Sequence, residues 1–202
     1  MLPFPRILQY GNTVDHTPKI KYNFSNSTAV STGKVTGSIS GGTYLTIPVS
    51  GYTTGIMGAT LTLPQAIVLG TSDYSIESVF YLNTTASGYS PISNIGTYTG
   101  IRYGDSGFGN RLQFASSYAG PTTVYSTDNT RTSTYQQVIK IKTQRISNVL
   151  KVYINDVQVN FAVGQSSSYT NSEIVDNISI GSNSSITFGA TNLALISCTI
   201  DY

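Results

Sequence analysis

Several residue types are scarce in this 202-residue sequence, which has no tryptophan, one cysteine, one histidine and only 11 basic and 9 acidic residues. So few charges argue against charge-driven disorder and against a coiled coil. A single histidine and a single cysteine exclude a Cys/His zinc site. Cys198 cannot form an intrachain disulfide, and its place in an apolar alternation predicts a buried thiol.

Small polar and flexible residues are abundant instead. Serine and threonine number 54, with 19 glycines and 14 asparagines, yet 39% of the residues are hydrophobic. No window of helical length shows a 3.6-residue period, whereas more than ten short alternating segments are separated by turn signals. The sequence therefore predicts an all-β protein, an antiparallel β-sandwich of the jelly-roll type, with one domain over residues 23–202.

The clearest strand signals lie in the second half of the chain. Residues 74–82 alternate as a strand buried mainly on one side, and strands are predicted over 134–143 and 146–154. Asn155 and Asp156 then supply a tight hairpin turn, because both residue types tolerate positive φ. Four basic residues in this region predict either a solvated sheet face or an anionic contact patch. They are Lys140, Lys142, Arg145 and Lys151.

Residues 1–22 are predicted to be an extended arm or an edge strand, since Pro3, Pro5 and Pro18 oppose a helix. Apolar side chains suited to docking recur along this segment, at Leu2, Phe4, Ile7, Leu8 and Tyr10. The segment lacks the pattern of a cleaved secretory signal, and no apolar run reaches the roughly 20 residues of a membrane span. We therefore expect no insertion into a membrane.

From residue 73 to residue 200, an ordered set of short motifs resembles the concanavalin A-like superfamily, especially its laminin-G-like modules. The first motif is the strand 74–82 with its internal Glu77, and the second is the run 150–157 leading into a hairpin. Ile180-Gly181, Phe188-Gly189 and the alternating segment 193–200 complete the order. The resemblance implies a jelly-roll sandwich with a lectin-like or adhesive role.

Catalytic groups are too few and too scattered to predict an enzyme. His16 would have to serve any triad alone, and the nine acids form no cluster of the kind that sugar-cleaving relatives carry. Asp105 and Asp128 are interpreted as turn residues, with a calcium site as the alternative. We expect no catalytic residue, no metal and no cofactor.

Binding by surface side chains is the remaining chemistry. Sugar recognition uses flat aromatic rings flanked by groups that hydrogen-bond hydroxyls, and several tyrosines lie near such groups in loop-like stretches. The predicted ligand-binding residues are Arg102, Tyr103, Asp105, Tyr118 and Asn129. The alternative interpretation is that the tyrosines are half-buried strand residues.

The expected function is that of a non-enzymatic structural and adhesive protein of a virion, such as a bacteriophage capsid decoration, fibre or receptor-binding component. Its expected partners are other virion proteins and host-surface glycans, with no nucleic acid, and its expected state is a homo-oligomer, a trimer. Its expected place is the virion surface or the extracellular space. A free carbohydrate-binding lectin is the alternative, and a glycoside hydrolase on the same fold ranks last.

Overall fold

The computed structural model describes residues 18–83, 90–96, 99–104, 111–116, 124–127, 136–164 and 166–202. Within these ranges the chain forms sixteen strands and no helix. The strands are β1 (Ile20–Asn23), β2 (Val30–Ser31), β3 (Ser38–Thr46), β4 (Thr54–Gly70), β5 (Tyr74–Leu82), β6 (Ser90–Ile95), β7 (Thr99–Tyr103), β8 (Leu112–Ser116), β9 (Val124–Thr127), β10 (Gln137–Ile146), β11 (Val149–Ile154), β12 (Val157–Gln158), β13 (Phe161–Val163), β14 (Ile174–Val175), β15 (Ile180–Phe188) and β16 (Leu193–Asp201).

All of these strands belong to one antiparallel sheet that curls on itself. Its main path runs β12-β11-β10-β5-β16-β4-β15-β6-β7-β8-β9-β13, and β1 pairs with both β16 and β2. The long strand β4 pairs with β16 at Ile56 and with β15 from Ala59 to Gly70, so it joins the two halves of the sheet. The predicted all-β sandwich of the jelly-roll type is confirmed.

The core lies on the inner face of the curled sheet. On β5, Tyr74, Ile76 and Phe80 are buried and alternate with half-buried residues, as the sequence predicts. Removing each such side chain from water contributes about 1.5–3 kcal/mol to folding.

Aromatic rings pack against one another in both halves of the core. Their contacts are Phe24–Phe188 at 5.5 Å, Phe114–Tyr125 at 5.1 Å and Phe114–Phe161 at 5.3 Å between ring centroids.

Two tight turns connect the strands β10, β11 and β12. Asn155 and Asp156 have φ values of 49° and 67°, which confirms the predicted hairpin turn. A second turn of the same kind lies at Ser147 and Asn148, with φ values of 51° and 63°. The prediction that the preceding strand ends at residue 143 is wrong, because β10 continues to Ile146 and keeps its pairing with β11 and β5.

The segment that begins at residue 18 leads directly into the sheet. β1 lies between β16 and β2, with Ile20 and Tyr22 buried in the core. The predicted docking residues Leu2, Phe4, Ile7, Leu8 and Tyr10 lie outside the described residues. No helix with the length and apolarity of a membrane span occurs in the described part of the chain.

Candidate functional site

The outer face of the sheet formed by β1, β16, β5, β10 and β11 is divided into a covered half and an open half. The covered half is apolar, with Tyr81, Ala194 and Ile196 buried beneath Ile47. Ile47 belongs to the connection between β3 and β4, which is closed by a hydrogen bond from the Ile47 N–H to the Thr53 carbonyl. The β3–β4 hairpin thus covers the apolar half of the outer face and leaves the polar half exposed to solvent.

The open half presents polar side chains in two rows that cross the strands. Because antiparallel neighbours lie about 4.8 Å apart, each row places side chains from successive strands side by side. The register defines the first row as Thr199, Glu77, Lys142 and Tyr153, and the second as Asp201, Ser75, Gln144 and Lys151. From β16 to β11 each row spans three strand spacings, roughly 15 Å.

Two depressions adjoin on this open half. The first has a volume of about 320 Å³ and lies where β5 begins and β10 and β16 end, lined by Asp73, Tyr74, Ser75, Gln144, Arg145, Ile146, Asp201 and Tyr202. The second, of about 380 Å³, is lined by Gln144, Ile146, Val149, Lys151, Tyr153 and Glu173. Gln144 and Ile146 line both depressions. We call the continuous feature the sheet-face groove.

The β11 side of the groove is fixed by an ion pair. The Lys151 Nζ lies 2.9 Å from the Glu173 Oε1, and the pairing of β14 with β11 holds Glu173 in place. The hydrogen bond from Lys151 lowers the pKa of Glu173 and raises that of Lys151. On the neighbouring row, the Lys142 ammonium lies 6.0 Å from the centre of the Tyr153 ring.

At the opposite end, two carboxylates hold turns and chain segments in position. The Asp73 Oδ1 accepts a 2.7 Å hydrogen bond from the Ser147 N–H, which ties the start of β5 to the β10–β11 turn. The Asp201 Oδ1 accepts hydrogen bonds from the N–H groups of Lys19 and Tyr202, at 3.4 and 3.2 Å. The Lys19 ammonium stands 4.1 Å from the centre of the Tyr202 ring. Backbone contacts therefore fix this rim.

Arg145 lies between Gln144 and Ile146 on β10 but does not belong to the solvated face, which corrects the prediction for this residue. Its side chain is 0% exposed and points to the inner face, whereas Lys140, Lys142 and Lys151 point outward. The guanidinium donates hydrogen bonds to the carbonyls of Ser72 (2.7 and 3.0 Å), Gly70 (3.0 Å) and Ile178 (3.0 Å). These contacts replace the water that the buried charge has lost.

Among the predicted ligand-binding residues, Arg102 and Tyr103 lie outside this groove. Arg102 and Tyr103 are neighbours on β7 in the other half of the sheet, and both are buried, at 9% and 0% exposure. Asp105, Tyr118 and Asn129 lie outside the described residues. A binding role for these five residues stays a prediction.

The sequence does not single out Gln144, Tyr153 or Glu173 as site residues. The signal that was present is the alternation of polar residues along β10 and β11, which indicates an outward-facing strip. The sequence does not show which strips become neighbours, since that depends on the pairing of β5 with both β10 and β16.

Other chemistry in the described residues is limited. Cys198 is buried, as predicted, and burial raises the pKa of its thiol to about 12. In the part of the chain that the structure describes, no three His, Cys, Asp or Glu side chains come together in a way that could hold a metal ion. The groove instead offers an aromatic ring, an amide, an ion pair and further carboxylates, a set suited to binding hydroxyl-rich molecules.

Neither the known protein-family models nor the curated protein sequences give a match to this chain. Several solved structures match the fold of this chain. The binding domain of botulinum neurotoxin serotype D/C aligns with a TM-score of 0.58 and 12% identity over 92% of this chain. A structure of botulinum neurotoxin type C, described by its interaction with two ganglioside molecules, aligns with a TM-score of 0.57 and 14% identity over 92% of the chain.

The chain spans about half the length of these toxin domains, 48% and 47% respectively. A sialidase from Trypanosoma rangeli in complex with sialic acid aligns with a TM-score of 0.52 and 9% identity, over 90% of this chain and 30% of the sialidase. Similarity at such low identity shows the fold and does not carry a function with it. The chain therefore shares an all-β jelly-roll fold with domains of these proteins.

Proposed function

We propose that this protein is a non-enzymatic carbohydrate-binding domain that holds its ligand in the sheet-face groove. The observation that supports this function most directly is the continuous groove across β16, β5, β10 and β11, where Tyr153 lies beside Gln144, Lys151 and Glu173. Its length of roughly 15 Å across the strands suits an extended oligosaccharide better than a compact small molecule.

The chemistry of the lining matches that of a sugar. The half-buried ring of Tyr153 offers a flat apolar surface for the C–H groups of a sugar ring, and Gln144 offers an amide that both donates and accepts hydrogen bonds. Lys151 adds donors, and Glu173 adds acceptors. Because β-strands and an ion pair hold these groups, little ordering is required when a ligand binds.

Similar folds lend separate support. The aligned type C toxin is described with gangliosides and the aligned sialidase with sialic acid, so both are associated with carbohydrates. These ligands belong to those proteins, and their position on this chain is not inherited at such low identity. The groove supplies a location that can be tested on this chain itself.

A binding role without catalysis fits the state of Glu173. A glycosidase needs a carboxylic acid that is protonated near neutral pH so that it can donate to the leaving group. The ion pair with Lys151 lowers the pKa of Glu173 and favours the charged form. Glu173 is therefore suited to accept hydrogen bonds from hydroxyls and unsuited to act as a general acid.

As a further part of this function, we propose that the domain is an adhesive component of a virion surface. The Ser/Thr/Gly/Asn/Tyr-rich all-β composition and the apolar residues of segment 1–22 support this location, with a homo-oligomer, a trimer, as the expected state. Detection in purified particles would support it, and detection in the host cytosol alone would contradict it. Glycan binding without particle association would favour a free lectin.

The carbohydrate-binding role is tested on a glycan array with three proteins. The wild type is expected to bind, and Tyr153→Ala is expected to lose about tenfold in affinity, the equivalent of about 1.4 kcal/mol for a lost ring contact. Tyr52→Ala is the matched control, since Tyr52 is an exposed tyrosine that lines neither depression. No binding by the wild type, or equal losses in both variants, would contradict the proposal.

A further inference from the structure

A row of aliphatic side chains lies beside the polar rows of the sheet-face groove. Ile146 on β10 is the direct cross-strand partner of Val149 on β11, and Val149 is in turn the partner of Val175 on β14. Directly paired residues of antiparallel strands point to the same face, with Cβ atoms about 4.5–5.5 Å apart. The three side chains therefore lie side by side, and we call them the aliphatic row.

The aliphatic row is open to solvent and forms part of the groove. Ile146 is 51% exposed and Val175 is 67% exposed, while Val149 is half-buried. Single exposed apolar side chains are common on protein surfaces, but three in register form a contiguous apolar surface. Two of the three, Ile146 and Val149, line the second depression.

The other side of that depression is polar. On β10, Gln144 lies two residues before Ile146 and points to the same face. On β11, Lys151 lies two residues after Val149 and pairs with Glu173 at 2.9 Å. Two residues along a strand span about 7 Å, close to the width of one sugar ring. A ring in the depression thus meets hydrogen-bonding groups along one edge and aliphatic groups along the other.

This division favours a sugar ring whose two edges differ. Hydroxyl groups on the first edge can bond with the Gln144 amide, the Lys151 ammonium and the Glu173 carboxylate. A hydroxyl group on the second edge would lose its water and find no hydrogen-bond partner on the aliphatic row, which costs free energy. A methyl group in the same place gains free energy, because the aliphatic row removes it from water.

We propose that the sheet-face groove selects sugars that carry a methyl group, as 6-deoxy and N-acetylated sugars do, and seats that methyl group on Ile146 and Val149. This inference rests on the proposed carbohydrate-binding function and adds the class of ligand. The recognition is a matter of shape and apolar contact, so it does not depend on the charges of the outer face.

The test uses a glycan array of matched pairs. Oligosaccharides with a 6-deoxy sugar are printed beside their hydroxymethyl counterparts, and N-acetylated oligosaccharides beside counterparts with a hydroxyl group at the same carbon. In at least one kind of pair, the methyl-bearing member is expected to bind about fourfold more tightly, as the burial of one methyl group implies. The kind of pair that shows the preference identifies the source of the methyl group.

Two variants locate the preference on the aliphatic row. Ile146→Thr and Val149→Thr each introduce a hydroxyl group but keep a β-branched side chain that suits a strand. Each is expected to reduce the preference to within about twofold and to leave the affinity for the unmodified members unchanged. Val163→Thr is the matched control, because Val163 is 50% exposed on β13 and lines neither depression. It is expected to keep the full preference.

Equal or weaker binding of the methyl-bearing members in both kinds of pair would overturn the inference, as would a preference that survives both groove variants. A changed sedimentation coefficient for Ile146→Thr with an unchanged preference would assign the aliphatic row to a contact between copies of this chain, and would also overturn it. Binding of no member by the wild type would instead overturn the proposed function, and the specificity with it.

Discussion

Replacement of Arg145 by methionine tests whether a buried cation holds the end of β10 against the β4–β5 turn and the segment before β15. The substitution keeps a long side chain in the core but removes the guanidinium, which donates to three backbone carbonyls. Those carbonyls come from the β4–β5 turn and from the segment before β15, so one side chain connects distant parts of the chain. Methionine cannot replace any of these hydrogen bonds.

The magnitude follows from burial and charge. A hydrogen bond to a charged group contributes about 1.5–3 kcal/mol, and the Arg145 side chain that donates here is 0% exposed. Asp176 is also buried, at 1% exposure, near Tyr74, whose pKa is raised by burial, lowered by the Arg145 charge and raised by the Asp176 charge. Loss of the charged donors to three backbone carbonyls therefore costs about 3–5 kcal/mol.

The assay is urea-induced unfolding followed by far-ultraviolet circular dichroism, with the free energy of unfolding taken from the transition. We expect Arg145→Met to lower that free energy by about 3–5 kcal/mol, because the charged donor to three carbonyls is lost. Lys142→Met is the matched control, because Lys142 lies on the same strand but points outward, and it is expected to change the free energy by less than about 1 kcal/mol. A loss below about 1 kcal/mol for Arg145→Met would refute the reasoning.

Two further predictions concern titratable groups. The folded-state pKa of Glu173 is lowered, so its ion pair with Lys151 stabilises the protein above the unfolded-state pKa of about 4.3. This stabilisation is lost as the pH falls through the lower folded-state pKa. A carboxyl titration by NMR is expected to show the lowered pKa in the wild type and an ordinary one in Lys151→Met; equal values would contradict the ion pair. Cys198, with a pKa raised to about 12, is expected to stay unreactive toward a thiol reagent at neutral pH and to give one equivalent after unfolding; rapid reaction of the native protein would contradict its burial.

The alternation along β5 and the turn at Asn155 and Asp156 could be predicted from the sequence because both signals are local. Alternation depends on which face of a strand is buried, and the turn depends on residues that tolerate positive φ. The burial of Cys198 could also be predicted from a local signal, since its neighbours within β16 are apolar. These local signals were sufficient for the fold class.

Arg145 could not be predicted in the same way. Periodicity assigns polar residues to the outside of a strand, and an inward arginine is stable only when acceptors from elsewhere surround it. Here the acceptors are Gly70, Ser72 and Ile178, which are 75, 73 and 33 residues away along the chain. No pattern within β10 reveals them.

The groove is non-local for the same reason. Gln144 becomes the neighbour of Ser75 and Lys151 only through the register of β10 with β5 and β11. Glu173 joins them through the pairing of β14 with β11. The ligand-binding residues predicted in loop-like stretches include Arg102 and Tyr103, which lie in a buried strand of the other half of the sheet.

The most direct test of the central claim is to map a bound oligosaccharide onto the backbone by NMR. An oligosaccharide identified on the array would be titrated into isotope-labelled protein, and the chemical-shift changes of the backbone amides would be followed. We expect the largest changes at Gln144, Lys151 and Tyr153, with little change on β7 and β8. Changes concentrated on β7 and β8, with β10 and β11 unaffected, would contradict the assignment of the sheet-face groove as the binding site.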